Sequence, residues 1–412
     1  MITSLKTLLI SETGKDSTVV FVGTLINIII AGLFFILVPR ILGPEGYGLF
    51  STIISTGLMA AAIANFGLDT GILRFAPNSN QQNSIFTLAL KSYLISSFSL
   101  SVSGFLFAPI LAGFLGQPQI TNLLRIAFFG AIFILFTNFF VSALQAKKEF
   151  LKASLVNLSA NITRISILIL GIYLVSSKLY FISILFFSSN LTSLVIGKFY
   201  LSFKFENIDI KTSKEFLKYN FWVAAAMIIS SIPFDNYFIL KLAGPFQAGL
   251  YAAPFKLLTF AYQFGGNFTR VLASRFASFD SDKKAILFSM KALLFPAIFI
   301  IGLLILIIYA PFVNLLIGSE FAGSSQILTI LIFGFISFFI AAIPSSIILY
   351  YFGKSQISFL ITAIRYTIFI LLLSFFVPNL KAVGAAIAFS LSEFISLCLM
   401  VSYILLKFKK VL

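Results

Sequence analysis

Eight charged residues fall where the chain is otherwise apolar: the cations Lys91, Arg125, Arg164, Lys256, Lys291 and Arg365, and the carboxylates Asp235 and Glu393. A charged side chain at mid-bilayer costs about 2.5–3.5 kcal/mol on insertion scales, so each needs a physical reason to be there. Three reasons compete. Cations near the end of an apolar run can reach lipid phosphates, which is open to Lys91, Lys291 and Arg125. Internal neutralisation is open to Lys256 and Arg365, with Glu393 as the partner. The third reason is a basic, water-filled cavity that receives an anion. It suits Arg164 and Arg365, which lie near the middles of their runs and whose planar forks match phosphate oxygens two at a time. Asp69, Arg74, Asp235 and Glu393 are the candidate internal charge partners. Arg74 and Arg275 sit at run ends, where anchoring is the default.

Other chemistry is excluded by residue type. The chain has no histidine, which removes the commonest general base and metal ligand, and its single cysteine, Cys398, has no disulfide partner. The Asp280-Ser-Asp282 pair lies in a short loop, without the sheet that a metal–nucleotide site needs. No P-loop is present, so this chain does not hydrolyse ATP. The sequons at Asn157, Asn161, Asn190 and Asn267 fall inside or at the edges of apolar runs and are read as chance. No metal or cofactor is called for.

The elements that carry these charges follow from composition. Of 412 residues, 59% are hydrophobic and only 10% charged, with 52 phenylalanines. Soluble domains carry about 25% charged residues. The chain is therefore read as an all-α polytopic membrane protein. Apolar runs of about 20 residues, long enough to span a bilayer, occupy roughly 17–39, 46–67, 85–110, 120–142, 153–175, 180–202, 219–240, 246–269, 286–310, 324–350, 356–377 and 382–406. The polar stretch before the first run and the lack of a small-residue exit after it argue against a cleaved signal peptide. Pro39, Pro233, Pro254, Pro296 and Pro344 are candidate bends.

Lysine and arginine orient the twelve runs. Loops after even-numbered runs, with both termini, hold eighteen cations, among them Lys6, Lys147, Lys148, Lys409 and Lys410; the other loops hold four, Arg40, Lys178, Lys241 and Lys381. This bias predicts cytoplasmic termini. The net charge of +16 is then a topology signal with anionic lipid as its counter-surface, and no nucleic-acid partner is needed.

The chain also repeats itself. "RILGPEGYGLF" at 40–50 matches "KLAGPFQAGLY" at 241–251, pairing Arg40 with Lys241, Gly43 with Gly244, Pro44 with Pro245 and Gly48 with Gly249. The same offset of 201 relates "RFA" at 74 to "RFA" at 275, and Arg164 to Arg365. Two six-helix lobes are expected, 1–205 and 206–412, inserted the same way up and joined by a cytoplasmic linker at 203–218.

Two such lobes, each opening with a G-P-x-x-x-G-L hairpin, resemble the multidrug/oligosaccharidyl-lipid/polysaccharide exporter superfamily. Within it, "PRILGPEGYGLFS" and "FGLDTGILRF" (66–75) resemble the polysaccharide-type, O-antigen (Wzx-like) flippases. The resemblance covers the whole chain, although the second hairpin is degenerate; lipid II flippases share the fold but carry fourteen spans rather than twelve. It implies a MATE-like, V-shaped pair of bundles with a central cavity open alternately to each side. It further implies a flippase in the cell membrane, not an enzyme, that translocates polyprenyl-pyrophosphate-linked oligosaccharide for surface polysaccharide assembly. Glycosyltransferases or a polymerase would be its assembly partners, membrane lipid its surroundings, and a monomer its state. On this reading Arg164, Arg365, Lys256, Lys291, Lys91 and Arg125 line the cavity. The alternative is a cation-coupled multidrug exporter of the same superfamily, which should carry acidic rather than basic cavity residues. A membrane polysaccharide polymerase or ligase would need a long extracytoplasmic catalytic loop, and the sequence has none.

Overall fold

The computed structural model describes residues 12–408 except 78–80, 207–208, 277–278 and 280. Lys6, Lys409, Lys410 and Asp280, and the side chains of Arg270 and Arg275, lie outside the described residues. Everything regular among those described is helical. In chain order the helices are α1 (Glu12–Asn65), α2 (Leu68–Phe75), α3 (Gln82–Phe114), α4 (Thr121–Ala146), α5 (Phe150–Gly171), α6 (Lys178–Ser188), α7 (Asn190–Tyr200) and α8 (Ile210–Ser231). They continue as α9 (Phe234–Ala243), α10 (Pro245–Phe276), α11 (Asp282–Ala292), α12 (Leu294–Tyr309), α13 (Val313–Ile317), α14 (Ser324–Ser346) and α15 (Ser355–Phe408).

Among the described residues, eight helical segments are long and apolar enough to cross a membrane. Two of them do so twice. α1 and α15 are each 54 residues long, about 80 Å of helix at 1.5 Å per residue, well over twice the ~30 Å of bilayer hydrocarbon. Each is broken near its middle, α1 at Gly43 (φ 65°, ψ 176°) and α15 at Lys381 (φ 53°, ψ −130°). All twelve apolar runs thus correspond to helical arms, one of them interrupted. The seventh breaks between α8 and α9, where Pro233 holds Ile232 extended (φ −71°, ψ 120°). Ser189, between α6 and α7, and Leu293, between α11 and α12, keep helical backbone (φ −56°, ψ −24° and φ −61°, ψ −20°), so the sixth and ninth runs continue through them. Of the candidate bends, Pro39, Pro254 and Pro344 stay inside helices, and a five-residue π-helical turn, Ile347–Tyr351, follows Pro344. Lys381 is an exposed non-glycine in a backbone region that costs about 1–3 kcal/mol. Lys381→Gly is expected to leave the thermal unfolding midpoint unchanged or to raise it, and a lowered midpoint would show that the lysine side chain stabilises the break.

The residues form two compact units. The first comprises residues up to 34 and Thr52–Pro233. Its core holds Phe86, Tyr93, Leu135, Phe139, Val156 and Phe216, all essentially inaccessible, with Tyr93 edge-on to Phe139 and its hydroxyl donating to Asn65 Oδ1 at 2.5 Å. The second comprises Phe35–Ser51 and Phe234–Leu412. Phe255, Phe335 and Phe389 pack ring against ring within it, and Leu272, Phe276, Ile343, Ile348 and Phe408 form a further cluster. Large apolar side chains such as Phe98 (74%), Leu170 (75%) and Phe199 (85%) face outward, as suits hydrocarbon rather than water.

The segment read as a cytoplasmic linker, 203–218, is half helix. Asp209 caps α8, its carboxylate accepting from the Thr212 backbone N–H at 2.6 Å and the Thr212 hydroxyl at 2.7 Å. These bonds hold the exposed Asp209 carboxyl below its ordinary pKa. The cap's contribution is therefore present above the ordinary carboxylate range and is lost as pH falls through the lowered value. Gln81 and Asn83, at the start of α3, bond to Asp209 and Glu206, and the Arg74 guanidinium lies 4.3 Å from the centre of the Tyr219 ring. The linker is thus docked on the first unit.

Candidate functional site

In the second unit the two repeated hairpins meet. Gly43 (φ 65°) and Gly244 (φ 85°) both take left-handed backbone, which a residue with a Cβ adopts only under strain. Gly48 and Gly249 are needed for a different reason. A Cβ on Gly48 would collide with the carbonyl oxygen of Pro245, and a Cβ on Gly249 with that of Pro44. The contact is reciprocal, backbone on backbone, and the same two motif positions, the proline and the last glycine, supply it from each repeat. Arg40 fixes the first hairpin from the side, its Nε donating to Leu316 O at 2.6 Å and a terminal nitrogen to Leu315 O. Those carbonyls end α13, where a cation also meets the favourable pole of the helix dipole. Tyr47 packs edge-on against Phe321.

The charges inside the arms fall into distinct environments. Arg164, in α5 of the first unit, is 6% exposed. Its Nε donates to Ser189 Oγ (3.1 Å), one terminal nitrogen to Asn161 Oδ1 (2.9 Å) and the other to Phe186 O (3.0 Å). The Phe186 and Phe34 rings flank it, with centroids 4.1 and 5.4 Å from the guanidinium carbon. Around it, Asn161 donates to Asn27 (2.7 Å), Thr163 to Thr192 (3.1 Å), and Ser159 lies against Ser193 (3.0 Å). All of these partners are neutral.

Arg365, in the first arm of α15, is instead ion-paired with the buried Glu393 of the second arm, and its guanidinium lies 4.1 Å from the Tyr366 ring centre. The buried Asp235 accepts from the Tyr251 hydroxyl and the Asn236 backbone N–H, each at 2.9 Å. Lys256 sits over the Phe35 ring at 4.7 Å. Arg125 bonds to Asn122 and lies 4.5 Å above Phe105. Lys91, Lys291 and Arg74 are exposed. Asp69 accepts from Asn65 Nδ2 and the Thr70 backbone N–H, so its hydrogen bonds come from neutral groups.

The structure therefore joins Arg365 to Glu393 and places Arg164 in a network of amides and hydroxyls that sequence reasoning did not single out. A signal was present in "NLSANITR" (157–164), where polar residues recur every second position through an apolar run. Two of the discounted sequons, at Asn161 and Asn190, end on Thr163 and Thr192 of this network.

The chain matches known folds over nearly its whole length. An inward-facing multidrug-resistance MATE-family transporter of the MOP superfamily superposes with a TM-score of 0.76 at 14% identity, over 93% of this chain and 95% of that one. The lipid II flippase MurJ, in an inward closed conformation, gives 0.65 at 17% identity over 94% and 87%. A MOP-superfamily transporter from Pyrococcus furiosus Vc1, described for the reverse polarity of its binding pocket, gives 0.65 at 16% over 96% and 97%. No curated protein sequence shows significant similarity. With its twelve helical arms, the chain has a MATE-like, all-helical multi-pass fold. The sequence family described as "Polysaccharide biosynthesis protein" matches residues 13–279, well over half the length, and the chain belongs to it.

Proposed function

We propose that the protein flips a polyprenyl-pyrophosphate-linked oligosaccharide across the cell membrane by alternating access, as a step in surface polysaccharide assembly. The observation that carries this reading is Arg164, a buried membrane-interior guanidinium whose described partners are all neutral. A pyrophosphate headgroup supplies the missing negative charge; a cationic drug would add to the imbalance. The halves 1–205 and 206–412 act as the two moving lobes; Arg164 in the first takes the headgroup, while Arg365 in the second is held by Glu393. Lys256, Lys91, Lys291 and Arg125 add to the basic field that draws the headgroup in. The prenyl tail stays in lipid. An anion bound more tightly in one conformation than in the other shifts the balance between them, which alternating access requires.

Reconstitution in proteoliposomes tests this. Labelled undecaprenyl-pyrophosphate oligosaccharide should become accessible on the opposite leaflet, while a cationic dye should not move. Cation-driven dye export without lipid movement would establish the multidrug reading instead. We further propose that both termini and the linker are cytoplasmic and that Gly43–Gly46 faces outside. In a Cys398→Ser background, a cysteine at position 45 should label from outside and one at position 148 only after permeabilisation, and the reverse pattern would invert the topology.

A further inference from the structure

Helix α5 has two exposed faces of opposite character. Leu151, Leu155, Ile162 and Ile169 are 40–60% exposed, and their spacings of four and seven residues put them on one face, which suits hydrocarbon. Asn157 is exposed as well, but two positions on from Leu155 it lies on the opposite side of the helix. Ser154 and Asn161, three and four positions from it, share that side. The first arm of α1 runs alongside. A Cβ on Gly23 would lie 2.9 Å from Ser154 Oγ, and Asn27 Oδ1 accepts from Asn161 Nδ2 at 2.7 Å. Among the described residues the Asn27 amide makes no bond through its nitrogen, and Asn157 makes no hydrogen bond at all. An amide surrounded by hydrocarbon and left unsatisfied is costly, and asparagine is too short to reach the headgroups as lysine does. Helix packing accounts for Asn27 and Asn161, which hold each other, and leaves Asn157 unexplained. Its side of α5 therefore faces water or a polar ligand. At the offset of 201 the second half has Ile228, Ser358 and Thr362 in place of Asn27, Asn157 and Asn161. The amide row belongs to the first half alone.

We infer that Asn27, Asn157 and Asn161 form a carbohydrate subsite, which reads the hydroxyls of the sugar portion of the substrate. An amide holds two donors and an acceptor in one plane, so a row of them suits neighbouring hydroxyls, each of which both donates and accepts. A hydrocarbon chain gains nothing from such a row, and a cation finds no counter-charge in it. Asn161 orients the row, since its oxygen accepts from Arg164 and its nitrogen holds Asn27; Asn27 and Asn157 keep the free groups. Ser154 to Asn161 is about 10 Å of helix, enough for a short run of sugar rings. The inference deepens the flippase reading and rests on it for the lipid-linked form of the sugar.

The test uses the full-length protein with three probes: undecaprenyl-pyrophosphate oligosaccharide, undecaprenyl pyrophosphate without sugar, and the free oligosaccharide released by mild acid. In detergent, wild type should bind the sugar-bearing lipid about tenfold more tightly than the sugar-free one, the worth of one or two neutral hydrogen bonds. Asn157→Leu and Asn27→Leu should each lose several-fold for the sugar-bearing lipid and nothing for the other, and Asn157→Gln should recover part of the loss. Ser166→Leu, on the apolar face of α5, should bind both as wild type. In proteoliposomes and a Cys398→Ser background, Asn157→Cys should react with a charged maleimide and be protected by free oligosaccharide. Failure of Asn157→Cys to react would place this side against lipid and overturn the subsite. Reaction without protection, or affinity for sugar-bearing lipid unchanged in Asn157→Leu, overturns it too, and lipid flipping by that protein would leave the transport reading standing. Protection by free oligosaccharide with no lipid flipped does the reverse: the subsite stands and the transport reading falls.

Discussion

Gly48→Val and Gly249→Val will each destabilise the second unit by about 3 kcal/mol or more, since each drives a side chain into a backbone carbonyl that cannot rotate away. The collision partners are Pro245 and Pro44 respectively, so both variants open the same contact from opposite sides. Two other glycines supply the contrast. A Cβ on Gly46 meets only the flexible Leu42 side chain, and one on Gly302 meets nothing within 4 Å. Gly302→Val should be close to neutral and Gly46→Val mild. Thermal unfolding of the four purified variants in one detergent measures the ranking. If Gly48→Val unfolds with Gly302→Val, the hairpins do not depend on backbone contact.

The second large effect belongs to the Arg365–Glu393 pair. Glu393→Gln leaves a guanidinium, 16% exposed, without its counter-charge inside the membrane, at a cost of about 3 kcal/mol. Removing both charges is a different matter. Arg365→Leu combined with Glu393→Leu should recover most of that stability, because packed apolar side chains replace buried ion pairs at little cost. A double-mutant cycle built from these variants reads the coupling directly. Additive losses would mean that the pair holds no mutual energy and that each charge is stabilised by other groups.

Much of the fold was legible in the sequence because lipid imposes a length. A run of about 20 apolar residues must cross, so all twelve arms could be placed from composition and punctuation alone. The interruptions were less visible. Pro233 announces the break in the seventh run, but nothing in the sequence marks Lys381 for a positive φ, because lysine is well tolerated inside helices. The hairpin repeat could be seen as a repeat, yet not as a contact. Pro44 and Pro245 are 201 positions apart, and no local pattern states that one glycine will lie under the other's carbonyl. The same holds for Arg164. Its charge and central position were plain; its ring of neutral partners comes from residues 34, 161, 186 and 189, brought together only by packing. For Arg365, Glu393 was one of the partners the sequence left open, and the structure pairs them.

The mutual contact of the two hairpins has a consequence for how such a doubled chain can change over generations. In most duplicated proteins the halves drift apart freely once each has its own neighbours. Here Gly48 is guarded by the other copy's proline carbonyl, and Gly249 by the first copy's. A side chain acquired at either position is opposed at once by the sister hairpin, and no single change in that hairpin makes room, since what stands in the way is main chain rather than a replaceable side chain. The two loops are therefore each other's selective environment. Divergence elsewhere in the repeat can proceed until only scattered identities remain, while this pair of glycines is held in step.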